Sequence, residues 1–182
     1  MSGEEKTLSS NPVFEGRILK LRVDRVLLPD GKESTREIVE HDGAAAVVAV
    51  DEKNNIHLVR QFRKPLEKTI MEIPAGILYP LEEPLSCAQR ELEEEVGLKA
   101  KQWNKLLSYY SAPGFCDEII HIFLARELYE GTTNLDEDEF LEHICLPLEE
   151  AYGKVVAGEI VDGKSIIGIQ MAYDRLMRQK LE

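Results

Sequence analysis

Apolar and polar positions form strand-like patterns near the start of the chain. Residues 1–10 are polar and are expected to be loose. Apolar and polar residues then alternate over residues 18–26, a Pro-Asp-Gly-Lys turn follows at 29–32, and residues 34–40 return in extended form. Alternating segments joined by such a turn are typical of two antiparallel strands. The pattern therefore predicts an antiparallel hairpin within residues 13–41.

Short apolar runs and helical spacings follow one another through the rest of the chain. Strand-like runs occur at residues 44–50, 56–62, 71–74, 102–108, 119–125 and 141–146. Apolar residues recur at helical spacing over residues 85–96, 148–157 and 164–180. A helix that lies between two groups of strands indicates an α/β layered domain.

The predicted helix at 85–96 carries several carboxylates beside its apolar stripe. The stripe is expected to face the core and consists of Leu85, Ala88, Leu92 and Val96. Glu91 and Glu95 lie one turn apart with Glu94 beside them, so their charges repel one another unless a cation lies between them. Hard oxygen ligands at this density suit Mg²⁺ or Mn²⁺, and Arg90 is placed to orient a carboxylate. The alternative is a solvated acidic helix face.

Composition and charge narrow the range of partners and compartments. The 182 residues, 43% of them hydrophobic, suffice for one domain with a small appendage. A formal net charge of −12 argues against nucleic acid and anionic membranes as partners. The three cysteines lack CxxC spacing, and neither a membrane span nor a signal peptide is evident, so a cytoplasmic protein with free thiols is expected. The four histidines show neither HxxxH nor HExxH spacing, so no zinc site is expected.

Residues 76–98 contain a complete set of fixed positions. In order, these are Gly76, Glu82, Arg90, Glu91, Leu92, Glu94, Glu95, Gly97 and Leu98. The segment resembles the Nudix box, G-x5-E-x7-R-E-U-x-E-E-x-G-U with U apolar. The resemblance implies the Nudix fold, an α/β/α sandwich with mixed sheets. It also implies metal-dependent hydrolysis of a nucleoside diphosphate linked to another group.

Segments outside the box resemble the ADP-ribose pyrophosphatase group of that family. They occupy residues 35–41, 59–65, 71–76 and 111–118, and the resemblance extends over nearly the whole chain. Two features depart from the group. Cys116 replaces a small hydroxyl residue, and Tyr79-Pro80-Leu81 replaces a polar, Gly-containing run. The implied reaction is the hydrolysis of ADP-ribose to AMP and ribose 5-phosphate.

The resemblance also implies roles for individual residues. The metal ligands would be the backbone carbonyl of Ala75 and the carboxylates of Glu91, Glu94 and Glu95. The substrate contacts would be Arg36, Glu37, Arg63, Pro113, Gly114 and Glu118. Arg90 would hold the catalytic glutamates in place, and Glu82 would support the loop or an outer metal. The alternative for the charged substrate contacts is an ordinary exposed side chain, and for the Pro-Gly pair a simple turn.

The general base in the resembling group lies outside the box, in a loop after the Pro-Gly segment. The densest acidic cluster in that part of the chain is at residues 135–140. Glu137 matches the base best and Glu139 second. A carboxylate of the box, Glu94, is the third candidate. The alternative is a solvated acidic loop without a catalytic role.

The expected organisation is an N-terminal β appendage over residues 1–43 and a Nudix domain over residues 44–182. In the resembling group the N-terminal strands cross to a second subunit, so a homodimer is expected, with Arg36 and Glu37 serving the partner's site. The nearest alternative is a broader nucleoside-diphosphate-sugar pyrophosphatase, for example one acting on GDP-mannose. Further alternatives are a non-catalytic ADP-ribose sensor, which would not need three repelling carboxylates, and a protein-interaction scaffold.

Overall fold

A computed structural model describes residues 3–135 and 140–177 of the chain. The chain divides into two compact units, each continuous in space but not in sequence. The first unit comprises Met1–Gly43 and Tyr109–Ile119, and the second comprises Ala44–Ser108 and Ile120–Glu182. The functional division between residues 1–43 and 44–182 stays a prediction.

The first unit is built on a three-stranded antiparallel sheet. Its strands are β1 (Lys6–Glu15), β2 (Lys20–Leu27) and β3 (Glu33–Glu40), in that spatial order. The predicted hairpin corresponds to β2 and β3, and its turn contains Gly31 in the left-handed region at φ 84°. The prediction that residues 1–10 are loose is wrong for residues 6–10. Every residue of β1 is exposed, and the strand is held by backbone pairing with β2. Because neither face of the strand is buried, its sequence shows no alternation of apolar and polar residues from which a strand could be predicted.

A seven-stranded mixed sheet forms the centre of the second unit. Its strands are β4 (Ala44–Val50), β5 (Asn55–Arg63), β6 (Lys68–Glu72), β7 (Ala75–Ile77), β8 (Leu98–Tyr110), β9 (Ile119–Glu130) and β10 (Leu141–Pro147). The main order is β10-β5-β4-β9-β8, while β6 pairs with β5 and β7 with β4. β4 and β9 are parallel, and β4 is antiparallel to β5. The strand predicted at 71–74 is wrong in its bounds, because β6 ends at Glu72 and two linking residues precede β7.

Helices cover both faces of β4. The three α-helices are α1 (Pro84–Val96), α2 (Leu148–Val156) and α3 (Gly163–Leu176). Alternate β4 residues such as Val47 join a buried cluster with Leu92 of α1. Gly168 of α3 approaches Val48 so closely that a Cβ there would lie 2.7 Å from it. The predicted α/β/α sandwich is confirmed. Among the described residues, no helix is long and apolar enough to cross a membrane.

Helix α1 follows its predicted bounds, but its buried face is rotated from the predicted stripe. Pro84 occupies the first turn, and Gly97 caps the C-terminus at φ 72°. Leu85 is 38% exposed, so its placement in the core is wrong. The buried residues of the helix are Cys87, Ala88, Glu91, Leu92, Glu95 and Val96. Two carboxylates therefore lie on the buried face, which a purely apolar pattern cannot anticipate.

Candidate active site

The carboxylate of Glu91 lies directly against the backbone of Gly76. A Cβ added to Gly76 would be 1.7 Å from Glu91 Oε1 and 2.1 Å from its carboxyl carbon. Only the absence of a side chain at this position of β7 leaves room for the carboxylate. Glu91 is 7% exposed, so the close approach fixes a charged group in a largely buried position. The first glycine of the box therefore has a steric function.

Glu95 and Glu94 extend the carboxylate group along the same turn of α1. Glu95 is 4% exposed, and its Oε2 accepts a hydrogen bond of 3.1 Å from the backbone N–H of Ala75. Ala75 is paired with Ala46 of β4, so this contact joins the helix to the central sheet. Glu94 is more open, with 29% of its side chain exposed. The turn thus presents two buried carboxylates and one that solvent reaches.

Arg90 binds three carboxylates of the box at once. Its Nε and Nη2 donate to the two oxygens of Glu82 at 3.0 and 3.1 Å. Its Nη1 donates to Glu91 Oε1 at 2.5 Å and to Glu94 Oε2 at 3.0 Å, which includes the pairing predicted from their four-residue spacing. The guanidinium also lies 4.2 Å from the ring centroid of Tyr79. These contacts fix the orientation of the carboxylates.

The electrostatics of this group favour a bound cation. One guanidinium shared by three carboxylates leaves those four side chains with a net negative charge. The hydrogen bonds from Arg90 hold the pKa of Glu82 below its ordinary value, so Glu82 is ionised at neutral pH. Burial alone would lower the pKa of Arg90, but the hydrogen bonds that Arg90 donates to Glu82 and the attraction of Glu91 outweigh burial and raise that pKa. Carboxylate oxygens held in a fixed, partly buried turn fit a hard divalent ion.

Arg63 belongs to a second buried network that the sequence did not reveal. Both ends of its guanidinium bind Glu72, at 2.6 and 2.8 Å, and Glu72 is 1% exposed. Lys164 of α3 binds the same carboxylate and also lies 3.1 Å from Asp162. Burial opposes ionisation of Glu72, but the hydrogen bond from Arg63 and the charge of Lys164 hold its pKa below the ordinary value. Glu72 therefore orients the guanidinium of Arg63. The side chain of Arg63 is 39% exposed, so a ligand can still reach it.

The remaining candidate substrate contacts all belong to the first unit. Arg36 and Glu37 are adjacent in β3, so their side chains point to opposite faces of its sheet. The guanidinium of Arg36 donates hydrogen bonds to Ser34 Oγ, to the carbonyl of Thr35 and to the carboxylate of Glu5. Glu37 is exposed. The predicted alternative, an exposed polar side chain, therefore describes Glu37 better than Arg36.

The Pro-Gly segment is bound along β3. Val39 N–H donates to the carbonyl of Phe115 at 2.8 Å, and the N–H of Asp117 donates to the carbonyl of Val39 at 3.2 Å. Pro113 and Gly114 are exposed at the tip of this loop. Glu118 lies beyond it, with one carboxylate oxygen 3.6 Å from Nδ1 of His41. Pro113 and Gly114 themselves lie in a turn, in which the N–H of Phe115 donates to the carbonyl of Ala112 at 3.1 Å. The turn is anchored to β3 through Val39, and a role of the pair in substrate binding stays a prediction.

Glu137 and Glu139, the two candidates for the general base, lie outside the described residues. The structure brings the box carboxylates together around Arg90, whereas for Arg36, Glu37, Pro113, Gly114 and Glu118 it shows only that they belong to the same unit. Sequence reasoning missed Glu72, Lys164 and Asp162. The only local signal was a glutamate directly before the buried Ile73, and Lys164, which binds this glutamate, lies 92 residues away in the sequence.

Each of the two parts of the chain matches the model of a known protein family. Residues 40–165 match the model of the NUDIX domain. Residues 5–39 match the model of the nucleoside diphosphate sugar hydrolase N-terminal domain. The two matches are adjacent and together cover most of the chain.

Two relatives and one solved structure are similar over nearly the full length. The ADP-ribose pyrophosphatase of Bacillus subtilis (strain 168) is 51% identical over 92% of this chain and 91% of its own. The methanol dehydrogenase activator of Bacillus methanolicus is 49% identical over the same shares of the two chains. The crystal structure of an ADP compounds hydrolase superposes with a TM-score of 0.85 over 97% of this chain and 96% of its own, at 21% identity. That structure supports the fold alone.

Proposed function

Because the chain belongs to the Nudix family of hydrolases, we propose that its substrate is ADP-ribose, which it splits with water into AMP and ribose 5-phosphate. The observation that carries this proposal is the carboxylate group that Arg90 and Gly76 hold in place on α1. The substrate assignment is supported by the 51% identical ADP-ribose pyrophosphatase. The Pro-Gly segment bound along β3 supports it further, since it resembles that group.

The residues of the box fit a divalent metal ion, and Mg²⁺ is the proposed ion, with Mn²⁺ as the alternative. Glu91, Glu94, Glu95 and the carbonyl of Ala75 would hold it, because they offer hard oxygen ligands. When bound, such a metal would supply positive charge to the diphosphate and would activate the attacking water. Arg90 keeps Glu91 and Glu94 oriented through the reaction. Glu137 would accept the proton that the attacking water loses.

Substrate contacts are proposed for Arg36, Glu37, Arg63, Pro113, Gly114 and Glu118. The guanidinium of Arg63 is suited to a diphosphate oxygen, since Glu72 orients it while part of the side chain stays exposed. The exposed carboxylate of Glu37 can accept hydrogen bonds from a sugar or base. Glu118 lies on the segment that is fixed along β3. A preorganised contact loses less entropy when the ligand binds.

The substrate proposal predicts a ranking of nucleotide sugars. With Mg²⁺, kcat/KM for ADP-ribose should exceed that for ADP-glucose and for GDP-mannose. The two products of ADP-ribose are phosphate monoesters, so phosphate released by an added phosphatase measures turnover, and each substrate with phosphatase alone is the control. The direct assay is needed because the two relatives carry different names at nearly equal identity.

A preference of tenfold or more for GDP-mannose, about 1.4 kcal/mol in transition-state stabilisation, would replace ADP-ribose with the broader nucleotide-sugar alternative. That alternative is supported by the N-terminal family match, whose description names nucleoside diphosphate sugars. A protein that binds ADP-ribose tightly but turns over none of the panel with either Mg²⁺ or Mn²⁺ would instead be a sensor.

We further propose a homodimer that forms through the N-terminal sheet and in which Arg36 and Glu37 serve the partner's site. Strand β1 exposes several large apolar side chains, among them Val13 and Phe14, each 56% exposed. Apolar exposure on a strand is often a sign of a contact surface.

Sedimentation at micromolar concentration checks the dimer. The wild-type protein should be a dimer, and Val13→Glu should shift it towards a monomer because a charge would be buried in the interface. Leu66→Glu is the matched control, since Leu66 is 52% exposed in the second unit, and it should remain dimeric. A wild-type monomer with full activity would contradict the proposal.

A cytoplasmic location is proposed from the thiols. Cys87, Cys116 and Cys145 are all free, which suits a reducing compartment. Burial raises the pKa of Cys87 to about 12, so that thiol is inert packing. Cell fractionation tests the location.

A further inference from the structure

A group of three side chains with hard, borderline and soft metal-ligand atoms lies where the turn after β4 meets β5 and β10. Asp51, His57 and Cys145 each offer a ligand atom, and these three atoms all lie within 4.8 Å of one another. His57 and Cys145 are directly opposite each other in the antiparallel pairing of β5 with β10, so their side chains share one face of the sheet. The three residues come from separate segments, which is why no short sequence spacing marked them.

The composition of this group differs from that of the box. The box offers oxygen ligands alone, whereas this group offers a thiol, an imidazole and a carboxylate. That mixture suits Zn²⁺ and related transition metals rather than Mg²⁺. Ligand atoms around a tetrahedral Zn²⁺ are about 3.3–3.6 Å apart, given bonds of about 2.0–2.3 Å. The exposed side chain of Cys145 can close the remaining distance by rotating.

The carboxylate of Asp51 is held in a fixed orientation with coordinating capacity remaining. Its Oδ1 accepts hydrogen bonds from the N–H groups of Lys53 at 2.9 Å and Asn55 at 2.7 Å. Its Oδ2 accepts one hydrogen bond of 2.9 Å, from the Asn55 side chain. A carboxylate oxygen has two lone pairs, so Oδ2 retains one for a cation. The turn therefore presents an oriented oxygen ligand.

A second histidine orients the first. Nδ1 of His57 lies 2.9 Å from Nε2 of His143, and the two rings are stacked with centroids 5.1 Å apart. One nitrogen of such a pair must donate and the other accept. When His57 Nδ1 donates to His143, the lone pair available to a cation is on His57 Nε2. Metal-binding histidines commonly have their second nitrogen held in this way.

We propose that Asp51, His57 and Cys145 form a binding site for Zn²⁺ that is separate from the box carboxylates, with His143 as the positioning residue and water completing the coordination. Binding displaces the proton of the Cys145 thiol to solvent and involves no redox step. The bound ion would join the turn after β4 to β10, an end strand of the main sheet order. Its chief effect would be to stabilise the pairing of β10 with β5.

Co²⁺ provides the probe, because a cobalt–thiolate bond produces a near-ultraviolet charge-transfer band and tetrahedral Co²⁺ produces strong visible bands. Full-length protein is first treated with a chelator and kept reduced, and Co²⁺ is then titrated in excess Mg²⁺ to occupy the box. The wild-type protein should bind one equivalent with both sets of bands. Zn²⁺ should abolish them by displacing the Co²⁺.

Variants assign the signal to the proposed ligands. Cys145→Ser should remove the charge-transfer band, and His57→Gln should abolish or strongly weaken Co²⁺ binding. His143→Phe keeps a ring for stacking but removes the hydrogen bond, and it should lower the affinity by about 10–100-fold. Cys116→Ser is the matched control and should retain the wild-type spectrum, because Cys116 lies in the other unit. The melting temperature should rise with Zn²⁺ in the control but not in Cys145→Ser.

The proposal is wrong if wild-type protein gives no thiolate band, or if the band survives in Cys145→Ser. It is equally wrong if Cys116→Ser loses the band. Hydrolase activity with Mg²⁺ is measured in parallel, so a failure of the zinc proposal is distinguished from a failure of the proposed hydrolysis.

Discussion

Glu95→Gln is expected to lower kcat by roughly 10²–10³-fold while the fold remains intact. The substitution removes a charge from the proposed metal site, and a bound metal stabilises the charge of the transition state by several kcal/mol. Each loss of about 1.4 kcal/mol of that stabilisation lowers the rate tenfold. Shape is preserved, and the amide oxygen of Gln can still accept the 3.1 Å hydrogen bond from Ala75 N–H. Without metal, the melting temperature should hold or rise, because repulsion with Glu91 is relieved.

Glu93→Gln is the matched control on the same helix. Glu93 pairs with Lys99 at 2.9 Å on the protein surface, where solvent screens the interaction between the two charges. Its kcat and its Mg²⁺ dependence should therefore match wild type. Steady-state kinetics over a Mg²⁺ titration provides both quantities. A Glu95→Gln variant that keeps more than about a tenth of wild-type kcat at saturating Mg²⁺ cannot have lost a direct metal ligand.

The same titration separates a metal ligand from a general base. Glu137→Gln should lower kcat by about 10²–10⁴-fold and leave KM and the Mg²⁺ dependence nearly unchanged. Glu139→Gln should lose much less. Reversed losses would identify Glu139 as the base. If neither variant loses more than about fivefold, far less than a general base contributes, Glu94 becomes the better candidate.

Helix α1 shows why much of the site could be predicted from sequence. Its start at Pro84 and its end at Gly97 depend on local backbone rules, and the spacing of its carboxylates follows from helical geometry alone. The hydrogen bond between Arg90 and Glu94 is similarly local. Interactions within one turn of helix are encoded by residues close together in the chain. The central strand β4, wholly apolar and wholly buried, was recognisable for a comparable reason.

The interactions that escaped prediction join distant segments. Glu72 and Lys164 are 92 residues apart in the chain, and their contact depends on how α3 packs on the sheet. His57 and Cys145 meet only because β10 pairs with β5 in one register. The rotated buried face of α1 has the same origin. Cys87 rather than Leu85 faces the core, because the helix must also turn Glu91 towards Gly76.

Gly76→Ala is expected to have the second large effect, because its one added methyl group meets Glu91 and should lower kcat by about 10²-fold. In Gly76→Ala the new Cβ would lie 1.7 Å from Glu91 Oε1 and 2.1 Å from its carboxyl carbon, so the carboxylate must move by more than an ångström or so. A misplacement of about 1 Å at a reacting centre can cost 10²-fold in rate. Gly153→Ala is the control, since nothing lies within 4 Å of its added Cβ. Alanine favours its helix by up to about 1 kcal/mol, so stability should rise slightly with kcat unchanged.

A double-mutant cycle identifies Glu91 as the group through which the added methyl acts. Glu91→Asp shortens the side chain by one methylene and withdraws the carboxylate from the space that the new Cβ occupies. Gly76→Ala should therefore cost much less in the Glu91→Asp background than in the wild type, because contacting residues are energetically coupled. The cycle is measured in kcat at saturating Mg²⁺, with melting temperatures to confirm folding. An equal cost in both backgrounds would mean that the methyl group acts elsewhere, on the β7 backbone or on the loop to Glu82. Glycine at this position would then serve the strand and not the carboxylate.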